Sequence, residues 1–264
     1  MYFRKIKNLA KIIVRFRLSR YKSFKVDTIL NFTSNLLFLI GTILFWYIID
    51  DAGFIVDGWS YNELLVFIAL SEMFYGFEQN IFSVASVFWR VIYTGKLDTQ
   101  LVRPMEPRRR FMLLNIDYIG LFISFCKVAV ILIYAQIRLN FVKLIFSICI
   151  IFLANYVLML IRFIICYASF WGNRLDSLTQ ICDSFTKFNK YPLIIFPKFV
   201  RVIFQTILPF YFFSTYPAQF LLGKMTVENS FILFLGLILN ILIWKYINNF
   251  MWKKGRANYE SISG

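Results

Sequence analysis

Apolar positions along this chain fall into two kinds of block. In residues 2–24 they recur at helical spacing (Tyr2, Ile6, Leu9, Ile13, Phe16), while Arg4, Lys7, Lys11 and Arg15 take another face. This predicts a basic amphipathic helix over residues 1–25 lying in a membrane interface, with a solvated basic helix as the alternative. Cations continue to Lys25, unlike the short basic region of a secretory signal. From residue 28 the blocks become long and nearly continuous. Residues 28–49, 62–89, 112–137, 141–170 and 229–250 are each long enough, at about 1.5 Å per residue, to cross a hydrocarbon core of about 30 Å.

The polar stretches between these blocks set an orientation. The stretch after the first block carries Asp50, Asp51, Asp57 and Glu63 and no Lys or Arg; residues 90–110 are basic, and the last block runs into Lys245, Lys253, Lys254 and Arg256. Cationic loops stay on the cytoplasmic side. Both termini and residues 90–111 are therefore expected inside, and residues 50–61 and the short turn at 138–140 outside. Ends on the same side require an even number of crossings, so a sixth must lie in residues 171–223. That region is irregular: residues 173–197 are amphipathic and polar, and Pro209 and Pro217 interrupt the apolar stretch after them. Prolines leave backbone carbonyls unpartnered, which lipid does not tolerate. A polar fifth span followed by a proline-broken, re-entrant segment at 198–223 fits, and the opposite division stays open. The predicted fold is an all-α polytopic membrane protein of about six transmembrane helices, forming a single domain over residues 1–264.

Composition removes several function classes. Hydrophobic residues make up 59% of the chain and mean hydropathy is +0.66, more than a soluble domain can hide. The net charge of +15 would suit nucleic acid, but the cations cluster in residues 1–25 and 90–110 beside apolar blocks, so no nucleic-acid partner is expected. No histidine occurs, which removes the commonest general base and metal ligand. Cys126, Cys149, Cys166 and Cys182 show no C-x-x-C spacing and read as small buried hydrophobes. No phosphate-binding G-x-x-x-x-G-K-[ST] motif is present. The chain is thus expected to hold no cofactor or metal and to be no enzyme.

The stretch at 95–110, GKLDTQLVRPMEPRRR, interrupts two apolar blocks. Three readings compete. A topogenic loop explains Arg108, Arg109 and Arg110 and little else. A lipid-headgroup site needs only the three arginines. A docking element accounts for more: Asp98 can cap a short helix begun after Gly95, Leu97, Leu101 and Val102 supply apolar contacts, and Pro104 and Pro107 end it.

TGKLDTQLVRP resembles the Gly-x-(Leu/Phe)-Asp-x-x-Leu-(Leu/Val)-Arg-Pro signature of one branch of the ABC-2-type permeases, the membrane subunits of type-2 ABC exporters. KYPLIIFPKFVRVIFQTILPFYFFSTYPAQFLLGK resembles that branch's later proline-rich pattern, and Phe170-Trp171 its usual end of the fourth span. The resemblance implies a subunit of commonly six spans that pairs with a second permease, identical or a homologue, and binds a dimer of separate ABC ATPase subunits holding ATP and Mg. It implies that Gly95, Lys96, Leu97, Asp98, Leu101, Arg103 and Pro104 form the ATPase-coupling element. Pro209, Tyr216 and Pro217 would lie near the exit gate, and the plasma membrane of a prokaryote is the implied location. The density of Arg108–Arg110 has no counterpart in that pattern.

Charges also fall inside the blocks: Glu72, Glu78, Asp117, Lys127 and Arg162. Each costs about 2.5–3.5 kcal/mol at the bilayer centre unless it faces protein or water. Asp117 and Arg162 lie near block ends, where they can snorkel. Glu72, Glu78 and Gln79 are candidates for a translocation path or subunit interface. An ion-driven carrier or channel is the competing class, although no repeated half is visible. An intramembrane enzyme lacks the residues for its chemistry. The cargo and the choice between homodimer and heterodimer are left open.

Overall fold

A computed structural model describes residues 14–15, 18–19, 21–53, 59–138, 140–172, 174–199, 202 and 210–259. The described residues are helical and form no strand. Most of the expected interfacial helix at 1–25, together with Pro209, lies outside them.

Helix α1 spans Lys25–Asp51 and α2 spans Tyr61–Phe77. α2 starts at a capping box, with Ser60 and Glu63 exchanging backbone and side-chain hydrogen bonds. It is apolar on nearly every side, so it buries all round and forms the core: Leu65, Val66, Phe67, Ala69, Leu70, Met73 and Phe74 have no exposed surface. After Phe77 the helix widens into a π-turn at Glu78–Phe82, tightens to 3₁₀ at Ser83–Val87 and resumes as α3, Trp89–Tyr93. The expected second span is therefore composite.

Two short helices come next, α4 at Leu97–Leu101 and α5 at Pro107–Asn115. Then come α6, Tyr118–Tyr134, and α7, Phe141–Cys166, which a 3₁₀ turn extends to Trp171. α5 and α6 form a pair bent by 61°. α8 spans Asp176–Phe185, α9 spans Thr215–Leu221 and α10 spans Val227–Ala257. Among the described residues, three helices are long and apolar enough to cross a membrane: Thr28–Asp51, Phe141–Trp171 and Val227–Ala257; the bent pair makes a fourth if taken as one.

The expected polar fifth span is not a single helix. α8 passes into 3₁₀ turns at Thr186–Lys190 and Leu193–Ile195. Its contacts climb steadily from one end of the protein to the other. Asp176 pairs with Arg90 at 3.1 Å, the Tyr75 hydroxyl donates to the Thr186 carbonyl at 3.1 Å, and Ser71 donates to that of Asn189 at 3.3 Å. Tyr191 then meets Trp46, near the far end of α1.

α7 and α10 run parallel in one fixed register. Phe146 packs on Phe234 near their starts, and Asn248 Nδ2 donates to the Leu160 carbonyl at 2.9 Å near their ends. Close packing there depends on Gly255, where a β-carbon would clash with the edge of the Phe170 ring. Gly255→Ala is expected to destabilise the fold by about 1–3 kcal/mol, the usual range for overpacking, and thermal unfolding of the purified protein checks it.

Candidate functional site

The loop between α3 and α5 lies at the end of the protein that also gathers Tyr21, the end of α7 and the end of α10. Tyr21 donates to Asp117 at 2.7 Å, Arg174 donates to the Tyr93 hydroxyl at 3.2 Å, and Tyr259 packs on Phe170. Gly95 adopts φ +72°, in the left-handed region, where glycine carries no side-chain penalty. The chain then turns into α4. Lys96, not Asp98, occupies the N-cap position, and no side chain caps the helix. Asp98 instead sits in the first turn, where its charge suits the helix dipole. The expected cap is thereby corrected, since the helix starts two residues too early for Asp98 to be its N-cap.

The loop's apolar residues divide between two sides. Leu97 is fully buried and anchors α4, whereas Leu101 and Val102 are 40% and 85% exposed. Lys96, Arg103 and Pro104 are exposed beside them. Arg103 Nε donates to the Thr99 carbonyl at 3.2 Å, which holds its side chain along the helix. Pro107 does not end α4 but starts α5 at N1, a position that needs no N–H. Asp98 lies beside the Tyr259 phenol, which burial and then the neighbouring carboxylate push up to about 12.

The three arginines separate in role. Arg109 is 81% exposed at its side chain, while Arg108 is built into the protein. Glu106 neutralises Arg108, whose Nη1 donates to Asn248 Oδ1 at 2.6 Å and to the Tyr167 hydroxyl at 3.3 Å. Its guanidinium also lies 5.0 Å from the Trp252 ring centre. Nothing in the local sequence signals this, because Asn248 lies 140 residues away.

Inside the helical body, Arg162 does not snorkel. It is 1% exposed, and its Nη2 contacts Glu78 at 2.6 Å and Asp183 at 2.8 Å. One cation thus ties α7 to the π-turn and to α8. Asp117, also expected to snorkel, caps α6 by accepting from the amides of Ile119 and Gly120. Glu72 pairs with Lys127 at 3.1 Å.

The three candidates Glu72, Glu78 and Gln79 do not line one site: Glu72 lies in α2, Glu78 and Gln79 in the π-turn after it, and Glu78 is taken up by Arg162. Gln79 instead lines a groove of about 970 Å³ between α1 and α6. Apolar Phe24, Ile29 and Phe32 form one wall, and Asn80, Asp117 and Lys127 stand on the other. Glu72 borders a separate small cavity with Ser71, Tyr75 and Lys190.

Tyr216 and Pro217 lie at the end opposite the loop. Pro217 falls in the first turn of α9, where its missing N–H leaves no bond unmade, and its carbonyl accepts from Ser147 at 3.0 Å. Tyr216 is fully buried and donates to the Ser230 carbonyl at 2.8 Å. The four cysteines are free; Cys166 is buried, but Cys126 and Cys149 are exposed on the apolar surface. Among the described residues no group of three His, Cys, Asp or Glu could hold a metal.

A profile of the family described as ABC-2 family transporter protein matches residues 36–263. No curated protein and no solved structure matches the chain.

Arg162 yields a graded expectation. Arg162→Leu leaves two carboxylates without their cation and is expected to destabilise the fold by about 3–5 kcal/mol. Glu78→Gln keeps the Asp183 contact and a neutral hydrogen-bonding group, so its loss is expected to be smaller. Thermal unfolding of both variants in one detergent checks the order.

Proposed function

The chain belongs to the ABC-2 family of transporter proteins, and on that premise we propose that it is the permease subunit of an ATP-driven exporter. The observation that carries the proposal is the form of the loop at 95–104. A five-residue helix is fixed by buried Leu97 and presents Leu101 and Val102, flanked by Lys96 and Arg103. Exposed apolar side chains on a rigid, cationic projection suit a soluble protein that grips them. That protein is a separate ABC ATPase, working as a dimer, which supplies the site for ATP and Mg.

Orientation is read from charge. The end bearing the loop carries the basic segments, so it faces the cytoplasm together with both termini in a plasma membrane. Six crossings then account for the helical runs: three continuous helices, the bent pair, the composite run 61–93 and the composite run 176–195. Broken runs are compatible with lipid because they are packed inside protein. The segment around Tyr216 and Pro217 lies toward the outer face and belongs to the exit region.

Nucleotide binding closes the ATPase dimer, displaces the loop and shifts the spans between inward and outward access. A second permease, identical or homologous, completes the path. Gln79 and the Glu72–Lys127 pair border this protomer's part of it, whereas Glu78 holds Arg162.

Replacing Leu101 and Val102 together with Asp is expected to lower co-purification of the ATPase by at least about tenfold, the weight of one interface hot spot, without lowering membrane insertion. Asp98→Ala with Arg103→Ala is expected to weaken it as well. Unchanged recovery of the ATPase with both pairs of substitutions would exclude the loop as the docking element.

A further inference from the structure

The function of the loop leaves Arg108 unexplained, because a docking surface needs exposed cations and Arg108 is turned inward. Apart from its neighbour Glu106, its partners named above are near the inner ends of two long helices: Tyr167 at the end of α7, and Asn248 and Trp252 toward the end of α10. Asn248 is 1% exposed and joins the two, donating to the Leu160 carbonyl while accepting from Arg108 and from the Tyr167 hydroxyl. Asp98, on the other side of the loop, adjoins Tyr259 just past α10. The loop is therefore fastened to the α7–α10 pair on both flanks.

The same two helices are fastened again at their opposite ends, and to one element. Ser147 of α7 donates to the Pro217 carbonyl, and the Ser230 carbonyl of α10 accepts from Tyr216. Both partners are consecutive residues of α9. Between these attachments α7 and α10 hold a fixed register and carry no break: α10 alone has 31 residues, about 46 Å at 1.5 Å each. Apart from α1, which is also unbroken, the other routes through the protein are interrupted. The run from α2 to α3 changes helix type three times, α5 and α6 are bent, and α8 dissolves into 3₁₀ turns.

We propose that α7 and α10 form a strut that carries displacement of the 95–104 loop to α9 at the opposite face, with Arg108 as the positioning residue that latches the loop to the strut. Assigning the loop to an ATPase rests on the function proposed above; the mechanical link between loop and α9 does not. An unbroken helix pair transmits a shift along its axis because its backbone bonds and packed core resist compression, whereas a helix break absorbs it. Arg108 suits the latch because its planar fork reaches Asn248 and Tyr167 together and its face covers Trp252. Lysine could supply the charge but not that geometry. Coupling between two sites is also reciprocal, so loosening α9 must be felt at the loop.

The test uses the full chain in lipid nanodiscs, without ATPase or cargo, and reads amide hydrogen exchange. Arg108→Ala is expected to speed exchange in residues 215–221 by about fivefold, the low end of an energetic coupling between sites, although those residues touch nothing at the mutated end. Arg108→Lys is expected to fall between wild type and Ala. Tyr216→Phe, which removes one hydroxyl and threatens folding least, is expected to speed exchange in residues 97–101 by a similar factor. Leu101→Asp, on the exposed side of the loop, is expected to leave residues 215–221 unchanged. Exchange that rises only within a turn or two of each substitution would overturn the strut. Failure of the ATPase to co-purify would overturn the proposed partner and leave this result standing, so the two ideas fail separately.

Discussion

A helix broken inside an apolar medium frees carbonyls that neither lipid nor a missing turn can satisfy, and in this protein neighbouring N–H and O–H groups meet them. The Asn80 carbonyl in the π-turn accepts from the Asp117 amide, and those of Thr186 and Asn189 accept from Tyr75 and Ser71. The Pro217 carbonyl takes the Ser147 hydroxyl. Each bond fixes where one segment must sit against another. α2 supplies two of these four donors, from Ser71 and Tyr75, at the buried centre of the protein.

The buried charges obey the same logic. Arg162 would be costly in lipid, yet with Glu78 and Asp183 it brings together three segments that have no continuous helix in common. Arg108 does this at the end that bears the loop, joining the chain beside the loop to α7 and α10. Both arginines use several contacts from one guanidinium, which a lysine cannot imitate. Within the helical body, polar residues are thus concentrated at junctions, and apolar packing fills the lengths between them.

This division bears on transport. Regions held by several junctions, such as the α7–α10 pair, have the means to move as units. α1 and α10 are both largely exposed along their lengths, and α1 borders the wide groove opposite Gln79 and Lys127. In the proposed function this groove would face a second protomer and a path between the two, and the α7–α10 pair would connect the loop to the opposite face.

The sequence determined whatever depends on neighbours in the chain. Apolar blocks of membrane length, the basic loop beginning at Gly95 and the proline signals that keep helices short were all legible, because each rests on local spacing and composition. So was the family, which the match over residues 36–263 shows. The sequence also marked Arg108 and Arg162 as unusual, but it could not say what they meet. Their partners are 140 and 84 residues away, and chain proximity carries no trace of such pairs. Only the tertiary structure decided that Arg162 is buried, that Asp98 comes after the helix start and that Gln79 parts from Glu72. Those outcomes come from unmet backbone groups and close packing between distant segments, energies that exist only once the segments touch.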